Sequence, residues 1–460
     1  MHKFRIAICG TFDIENYGDL IFPELFDMAM HLRGVDCELV RFGPVGGRQP
    51  LNEADGEVYK LSRLEAMHNE CKFDAIVVGG GALIHFNTLF QYVPQSDRSD
   101  SLSDYAIYET WVIPALFSKA FGVPVYWNAP DVPYCFESAV SKIAAKLIEV
   151  SDYICVRNAS SKSNLLAIGL PEERIVLCPD TALSISRYMG SLRNRDKNDW
   201  ERQHYIVVHL NRHLKDEEYH VFADVLSQYC FLTGYSVVLL PLANTHGDIE
   251  GLLKLQTLLN GPSIMVYPKS IFEMMDIISK ARLYVGVSFH GAITALAYGV
   301  KAIAYNYMRY AKTRDLYEDL GISELYSENA EQVRVSLTRM LLREQEEDLR
   351  VRLAQLQQQI ERHFDFIRDQ LIASRQSATG TVKRGDLGKV EFASVMIDSV
   401  VKLSANASSM RFEMDHALEK TKWLESNASS MRFEMDHILE KTKWLESQVV
   451  QLSLLRASDG

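Results

Sequence analysis

The sequence predicts an α/β protein with two Rossmann-like domains, each a parallel sheet covered on both faces, followed by a helical extension. Three observations predict it. Short apolar runs alternate with helical patterns from Phe4 to Leu320, the order that parallel strands with crossover helices require. A polar, charged stretch at 188–203 (YMGSLRNRDKNDWERQ) interrupts the alternation, which then restarts. From about Glu328 glycine almost vanishes until Gly380, while Glu, Gln, Arg and Leu dominate. The expected organisation is a first domain over 1–187, a linker over 188–203 and a second domain over 204–327. A long amphipathic helix over 328–372, a flexible linker over 373–389 and a coiled coil over 390–460 follow.

Phe4–Cys9 (FRIAIC) reads as a buried strand that Gly10 ends. A polar loop follows, and Leu20–Leu32 has helical periodicity through Leu25, Met28, Ala29 and Leu32. Cys37–Arg41 is the second strand, 43–60 a glycine-rich loop, and Asp74–Val78 a third strand running into Gly79, Gly80 and Gly81. Consecutive glycines let backbone approach a ligand or a helix closely. Tyr105–Phe121 and Ser138–Val150 are helical; Val125–Asn128, Tyr153–Val156 and Ile175–Leu177 are strands. In the second half, Tyr205–Leu210, Ser236–Leu240, Ile264–Tyr267, Leu283–Val285 and Ala302–Tyr305 are strands. Helices over Glu217–Leu232, Ile249–Leu259, Ile271–Ser279, Ala292–Tyr298 and Thr313–Leu320 separate or follow them. Two such halves place a cleft between them, a natural ligand site.

Leu341–Leu371 is strongly amphipathic. Beyond it, Asn406–Ser426 and Asn427–Ser447 are the same 21 residues with Ala417 replaced by Ile438. Placing Met414, Thr421, Ala428, Met435, Thr442 and Val449 at a puts Ala417, Leu424, Met431, Ile438, Leu445 and Leu452 at d. This register predicts a coiled coil. Its Ala, Thr and Met positions make a weak seam. The helix either self-associates into a homo-oligomer or folds back on the body.

At 460 residues the chain needs more than one core. The net charge of −11 argues against nucleic-acid and acidic-membrane binding. It leaves room for an anion in a local basic pocket. Seven scattered cysteines without a CxxC pair read as reduced thiols. No apolar signal region precedes the first strand, and no stretch has the ~20 apolar residues of a membrane span. A cytoplasmic location is the expectation.

The stretch Tyr284–Gly299 (YVGVSFHGAITALAYG) organises the second half. A strand breaks at Gly286 and a helix starts after Gly291, so the loop lies at the C-terminal edge of a sheet, where open α/β folds bind ligands. The new helix aims unpaired N–H groups there, which favours an anion. His290 stands at that point, either as a catalytic group or as the cap of a tight turn.

Asn16-Tyr17-Gly18-Asp19, Gly79-Gly80-Gly81, Val156-Arg157-Asn158 before Ser161 and Leu165, Pro179-Asp180 and Ser288-Phe289-His290-Gly291 occur in that order. Over residues 3–325 the chain thereby resembles the polysaccharide pyruvyl transferase family. The resemblance implies a GT-B-like arrangement of the two domains. It also implies transfer of a pyruvyl group from phosphoenolpyruvate to a hydroxyl of a sugar or glycan acceptor, free or lipid-linked, without a redox cofactor. Some members carry Arg-Leu-His where this chain has Ser288-Phe289-His290. In them the arginine is thought to bind the donor and the histidine to move a proton. His290 carries over; the arginine does not.

Either another cation takes the arginine's place for the donor's carboxylate and phosphate, or the protein does something related but different. Arg212, Arg309, Lys312 and Arg314 follow strands at the same sheet edge, with Ser288 and Gly291 at the helix start. Each basic residue is otherwise a solvated surface charge. His290 has the imidazole needed to protonate the enol methylene or to take a hydroxyl proton. Asp19 is an N-cap or an acceptor-hydroxyl ligand. Asp180 binds sugar or braces the linker. Gly80, Gly81 and His246 complete the acceptor side. His209 and His213 do not share a helix face, so their spacing predicts no metal site. A nucleotide-sugar glycosyltransferase and a non-catalytic coiled-coil subunit of a polysaccharide machine are the alternatives.

Overall fold

In a computed structural model, residues 3–51, 56–86, 106–190, 204–243, 246–342 and 347–377 are described. β1 (Phe4–Cys9) is almost wholly buried. It leads to α1 (Tyr17–Leu32), capped by the Asn16 side chain, which accepts from Gly18 N–H. β2 (Cys37–Gly43) runs parallel to β1.

The stretch 43–60, expected as a loop, contributes two more strands, β3 (Gly47–Arg48) and β4 (Glu57–Lys60). β4 is parallel to β2, and β3 turns back on it antiparallel. Val58 alone is buried in β4, too little apolar alternation to mark a strand in the sequence. After α2 (Leu64–Cys71) come β5 (Ala75–Val78), α3 (Glu109–Phe121), β6 (Val125–Trp127) and α4 (Ser138–Ile148). Then come β7 (Ile154–Val156), α5 (Ala159–Ala167), β8 (Ile175–Leu177) and α6 (Ile185–Met189). The first sheet has the order β3-β4-β2-β1-β5-β6. The parallel pair β7-β8 continues it through a bridge from Tyr126 to Tyr153.

The second half holds β9 (Tyr205–His209), α7 (Asp216–Thr233), β10 (Ser236–Leu239), α8 (Asp248–Leu258), β11 (Ser263–Met265) and α9 (Ile271–Ser279). It continues with β12 (Leu283–Gly286), α10 (Phe289–Ala297), β13 (Lys301–Tyr305), α11 (Ala311–Asp319) and β14 (Tyr326–Ser327). The order β11-β10-β9-β12-β13-β14 is parallel throughout. In this sheet the order reverses between β9 and β12, and in the first between β1 and β5. Ligands of doubly wound sheets bind outside the carboxyl ends at such switch points.

Of the extension expected as one helix over 328–372, the described residues hold α12 (Ala330–Leu342) and α13 (Glu347–Ser377). α12 packs on α7 and β14. α13 returns to the first half, where Arg33 pairs with Glu361 (2.5 Å) and Asp365 (2.9 Å), and the Tyr188 hydroxyl donates to Glu361. Its apolar stripe, Ile360, Phe364, Ile367 and Leu371, is fully buried. The amphipathic face therefore completes the core rather than awaiting a partner. One apolar core runs through both sheets, and the described residues belong to the unit Met1–Met396. Most of the linker, the flexible segment and the repeat with its coiled-coil register lie outside the described residues. Among the described residues no helix is long and apolar enough to cross a membrane.

Candidate functional site

The loop after β12 is fixed from below. His209, at the end of β9, accepts from Ser288 N–H at Nδ1 (3.1 Å) and donates from Nε2 to Asp248 (2.8 Å). Burial alone would raise the Asp248 carboxyl, but His209 outweighs it and holds it low. Asp248 also accepts from the N–H groups of Leu242 and Ala243, so one carboxylate ties three loops together.

Ser288 caps α10, its hydroxyl accepting from Gly291 N–H at 3.2 Å. The helix starts at Phe289, earlier than the small-residue pattern indicates, so His290 stands in its first turn. Gly18 makes room for it: a Cβ there would collide with His290 Nδ1. The Phe22 ring meets the imidazole edge-on at 5.4 Å. Tyr17, beside Gly18, bonds Thr294 of α10 at 2.7 Å. The N-terminal turn of α1 and that of α10 thus abut, one from each half.

His290 Nε2 points toward Asp180 Oδ2 at 3.4 Å without completing a hydrogen bond. Asp180 belongs to a buried network. Arg157, at the end of β7, donates to Asp180 (2.9 Å) and to Asp131 (2.6 Å), which follows β6. Asp131 also accepts from Asn158 and from the Ser161 hydroxyl (2.6 Å). Asp180 accepts from Ala182 N–H. Burial works against the charge on Asp180, yet His290 and Arg157 hold its carboxyl well below the usual carboxylate range. Arg157 and Lys312 likewise overcome burial at Asp131.

In front of this network lies a cleft of about 1180 Å³, open to solvent. Asp19, His85, Asp131 and Asn158 line it from the first half, and His246, His290, Tyr310 and Lys312 from the second. Lys312 is the only lysine or arginine among its described lining residues. It has no ion pair among the described residues; its ammonium lies 5.4 Å from the centres of both the Phe289 and Tyr310 rings. Burial, with Arg157 nearby, brings its pKa down to about 8. Burial raises Asp19 against the pull of His290 and lowers His246. Asp19 accepts from the Asn16 amide at 3.0 Å.

Of the predicted residues, Asp19, His246, His290 and Lys312 come together here, with Asp180 directly behind His290. The other three cations do not line the cleft. Arg309 is 75% exposed and paired with Glu328, Arg314 pairs with Asp315, and Arg212 lies over Gly247, 3.7 Å from Glu250. Gly80 packs on Phe22 and Gly81 on Asp19; Ala82 reaches the cavity instead. Ser288 and Gly291 build the start of α10. Asp131, Arg157, Asn158 and His85 were not among the predicted site residues. The signal was present: Asp131 and Arg157-Asn158 follow strands at the same sheet edge as Asp19.

The sequence model of the family described as polysaccharide pyruvyl transferase matches residues 16–309. No curated protein matches the chain. Among solved structures, one assigned as a UDP-N-acetylglucosamine 2-epimerase from Listeria monocytogenes superposes with a TM-score of 0.51 at 11% identity, covering 84% of this chain and 99% of that one. A further UDP-N-acetylglucosamine 2-epimerase gives 0.50 at 12% identity, covering 84% and 100%. At these identities the likeness is one of fold, the GT-B-like pair of parallel sheets facing across a cleft.

Proposed function

Because the chain belongs to the polysaccharide pyruvyl transferase family, we propose that it moves a pyruvyl group from phosphoenolpyruvate onto the hydroxyls of a sugar in a surface polysaccharide or its precursor. The observation that carries this reading is the grouping of His290, Lys312 and the N-terminus of α10 on one wall of the cleft, opposite Asp19. A donor with a carboxylate and a phosphate needs fixed positive charge and backbone donors. Lys312 supplies the first in this chain, which has Ser288 where some members of the family carry an arginine.

In this reaction His290 gives a proton to the methylene carbon of the enol. The electron-poor carbon so formed is attacked by a sugar hydroxyl, and Asp19, its basicity raised by burial, takes the hydroxyl proton. The carbon–oxygen bond to phosphate breaks, and a second hydroxyl closes the ketal as its own proton leaves. One phosphoenolpyruvate and one diol give one ketal and one inorganic phosphate. Asp180 orients His290 and stabilises it when it is protonated again.

The test is incubation with phosphoenolpyruvate and lipid- or nucleotide-linked sugars, following phosphate release and acceptor mass. Phosphate release matched by a pyruvyl mass gain is expected. Release of nucleotide from a sugar nucleotide, with no pyruvyl gain, would establish the glycosyltransferase alternative instead.

A further inference from the structure

A second cluster of chemistry-bearing side chains shares no residue with the cleft lining. Cys155 lies in β7, Cys178 directly follows β8, and His363 reaches them from α13. All three are buried. Their sulfur and ring-nitrogen atoms lie within 4.8 Å of one another. The pairing of β7 with β8 holds the two thiols in place: Cys178 N–H donates to Val156 at 3.0 Å, closing the ladder beside Cys155.

The histidine is oriented as a ligand would be. Its Nε2 lies 3.1 Å from Asn128 Oδ1, and with that oxygen accepting, Nε2 carries the hydrogen. Nδ1 then keeps its lone pair, which now accepts from the Tyr153 hydroxyl at 3.1 Å. Metal-binding histidines show this pattern, one nitrogen donating to a carbonyl and the other left for the metal. A solvent-open recess lined by Tyr153, Cys178 and His363 provides an entry path.

We infer that Cys155, Cys178 and His363 form a site for a thiophilic divalent cation, zinc by preference, that staples α13 to the β7–β8 pair. Two thiolates and an imidazole suit zinc, which takes sulfur at about 2.3 Å and nitrogen at about 2.0 Å in a tetrahedron. Such a tetrahedron needs its donors about 3.5–3.8 Å apart, a contraction of order 1 Å from the outer limit seen here. The Tyr153 oxygen, displaced from Nδ1, or a water in the recess fills the fourth position. Binding releases the thiol protons. The three ligands come from elements distant in sequence, which explains why no spacing motif marks the site.

The test is a cobalt titration of the full chain, reduced and stripped of metal. One equivalent of cobalt is expected to give a thiolate-to-metal charge-transfer band and the visible bands of tetrahedral coordination, both erased by zinc. Cys155→Ser and Cys178→Ser should each lose charge-transfer intensity, and Asn128→Ala should weaken binding by roughly 10–100-fold. Cys135→Ser, at an exposed thiol, should change nothing. X-ray absorption of the zinc-loaded wild type avoids dependence on variants that fail to fold, and two sulfur neighbours are expected. A wild-type titration without the charge-transfer band would overturn the site. So would bands that persist in the double serine variant, a zinc shell of nitrogen and oxygen only, or a Cys155–Cys178 disulfide in protein purified without oxidant.

Discussion

Two groups of charge share the cleft wall and are built in opposite ways. In the first, Arg157 divides its guanidinium between Asp131 and Asp180, and backbone and side-chain donors fill the remaining carboxylate oxygens. In the second, Lys312 lies against aromatic rings with no ion pair among the described residues, His290 Nε2 stops short of a hydrogen bond, and Asp19 is raised by burial. The closed group has its carboxylate oxygens hydrogen-bonded and serves as a frame, with His290 and Lys312 adding positive charge beside it. The open group keeps unspent charge at the mouth of the same frame, where an anionic donor and a sugar hydroxyl would complete it.

The largest expected effect breaks the frame. Arg157→Met leaves two buried carboxylates without their cation and should cost about 3–5 kcal/mol of stability, read as a fall in Tm. A stable, active variant would show that Asp131 and Asp180 do not depend on it. His290→Gln keeps most of the packing against Phe22 and should lower pyruvyl transfer roughly 10²–10⁴-fold with little change in Tm. Unchanged turnover would remove His290 from the chemistry.

Lys312→Gln should weaken donor binding about tenfold or more, the worth of a lost charge-assisted contact, while leaving the fold intact. The same residue gives a pH signature. Lys312 is cationic below about 8, so the donor KM should rise as pH climbs through that value. Stability moves the other way. An unfolded lysine holds its proton to about 10.4, so between about 8 and 10.4 the unfolded state binds more protons, and the contribution of Lys312 to stability grows with pH. Asp180, held low when folded, has the same sign in the acid range: its contribution is present above about 3.9 and is lost as pH falls through its lower folded value. Smallest of all, Arg309→Ala and Arg314→Ala should change the donor KM less than about twofold, because exposed pairs contribute little. A large loss there would move the donor site out toward Glu328.

Alternation of strands and helices was legible because buried parallel strands are nearly continuous apolar runs, as FRIAIC shows with Arg5 its one polar residue. β4 was not, since only Val58 of its four residues is buried. His290 and Asp19 were legible from turn chemistry at strand ends. Among the four basic residues, sequence could place each at the sheet edge but not say which way it turned; its place in the cleft against Phe289 and Tyr310 separates Lys312 from the exposed Arg309. The Asp131–Arg157–Asp180 contacts were hidden because the three sit 23 and 26 residues apart, each in the loop after a different strand. α13 was legible as an amphipathic helix but its docking surface was not, because Arg33 and Tyr188 lie in the first half.

The contrast between frame and open group is tested most directly by calorimetric titration of phosphoenolpyruvate into wild type and Lys312→Gln at one pH below 8. Saturable one-to-one binding in the wild type, weakened about tenfold or more in a variant whose Tm is not lowered, is the predicted result. Equal affinity in the two proteins, or no binding by the wild type, would contradict it.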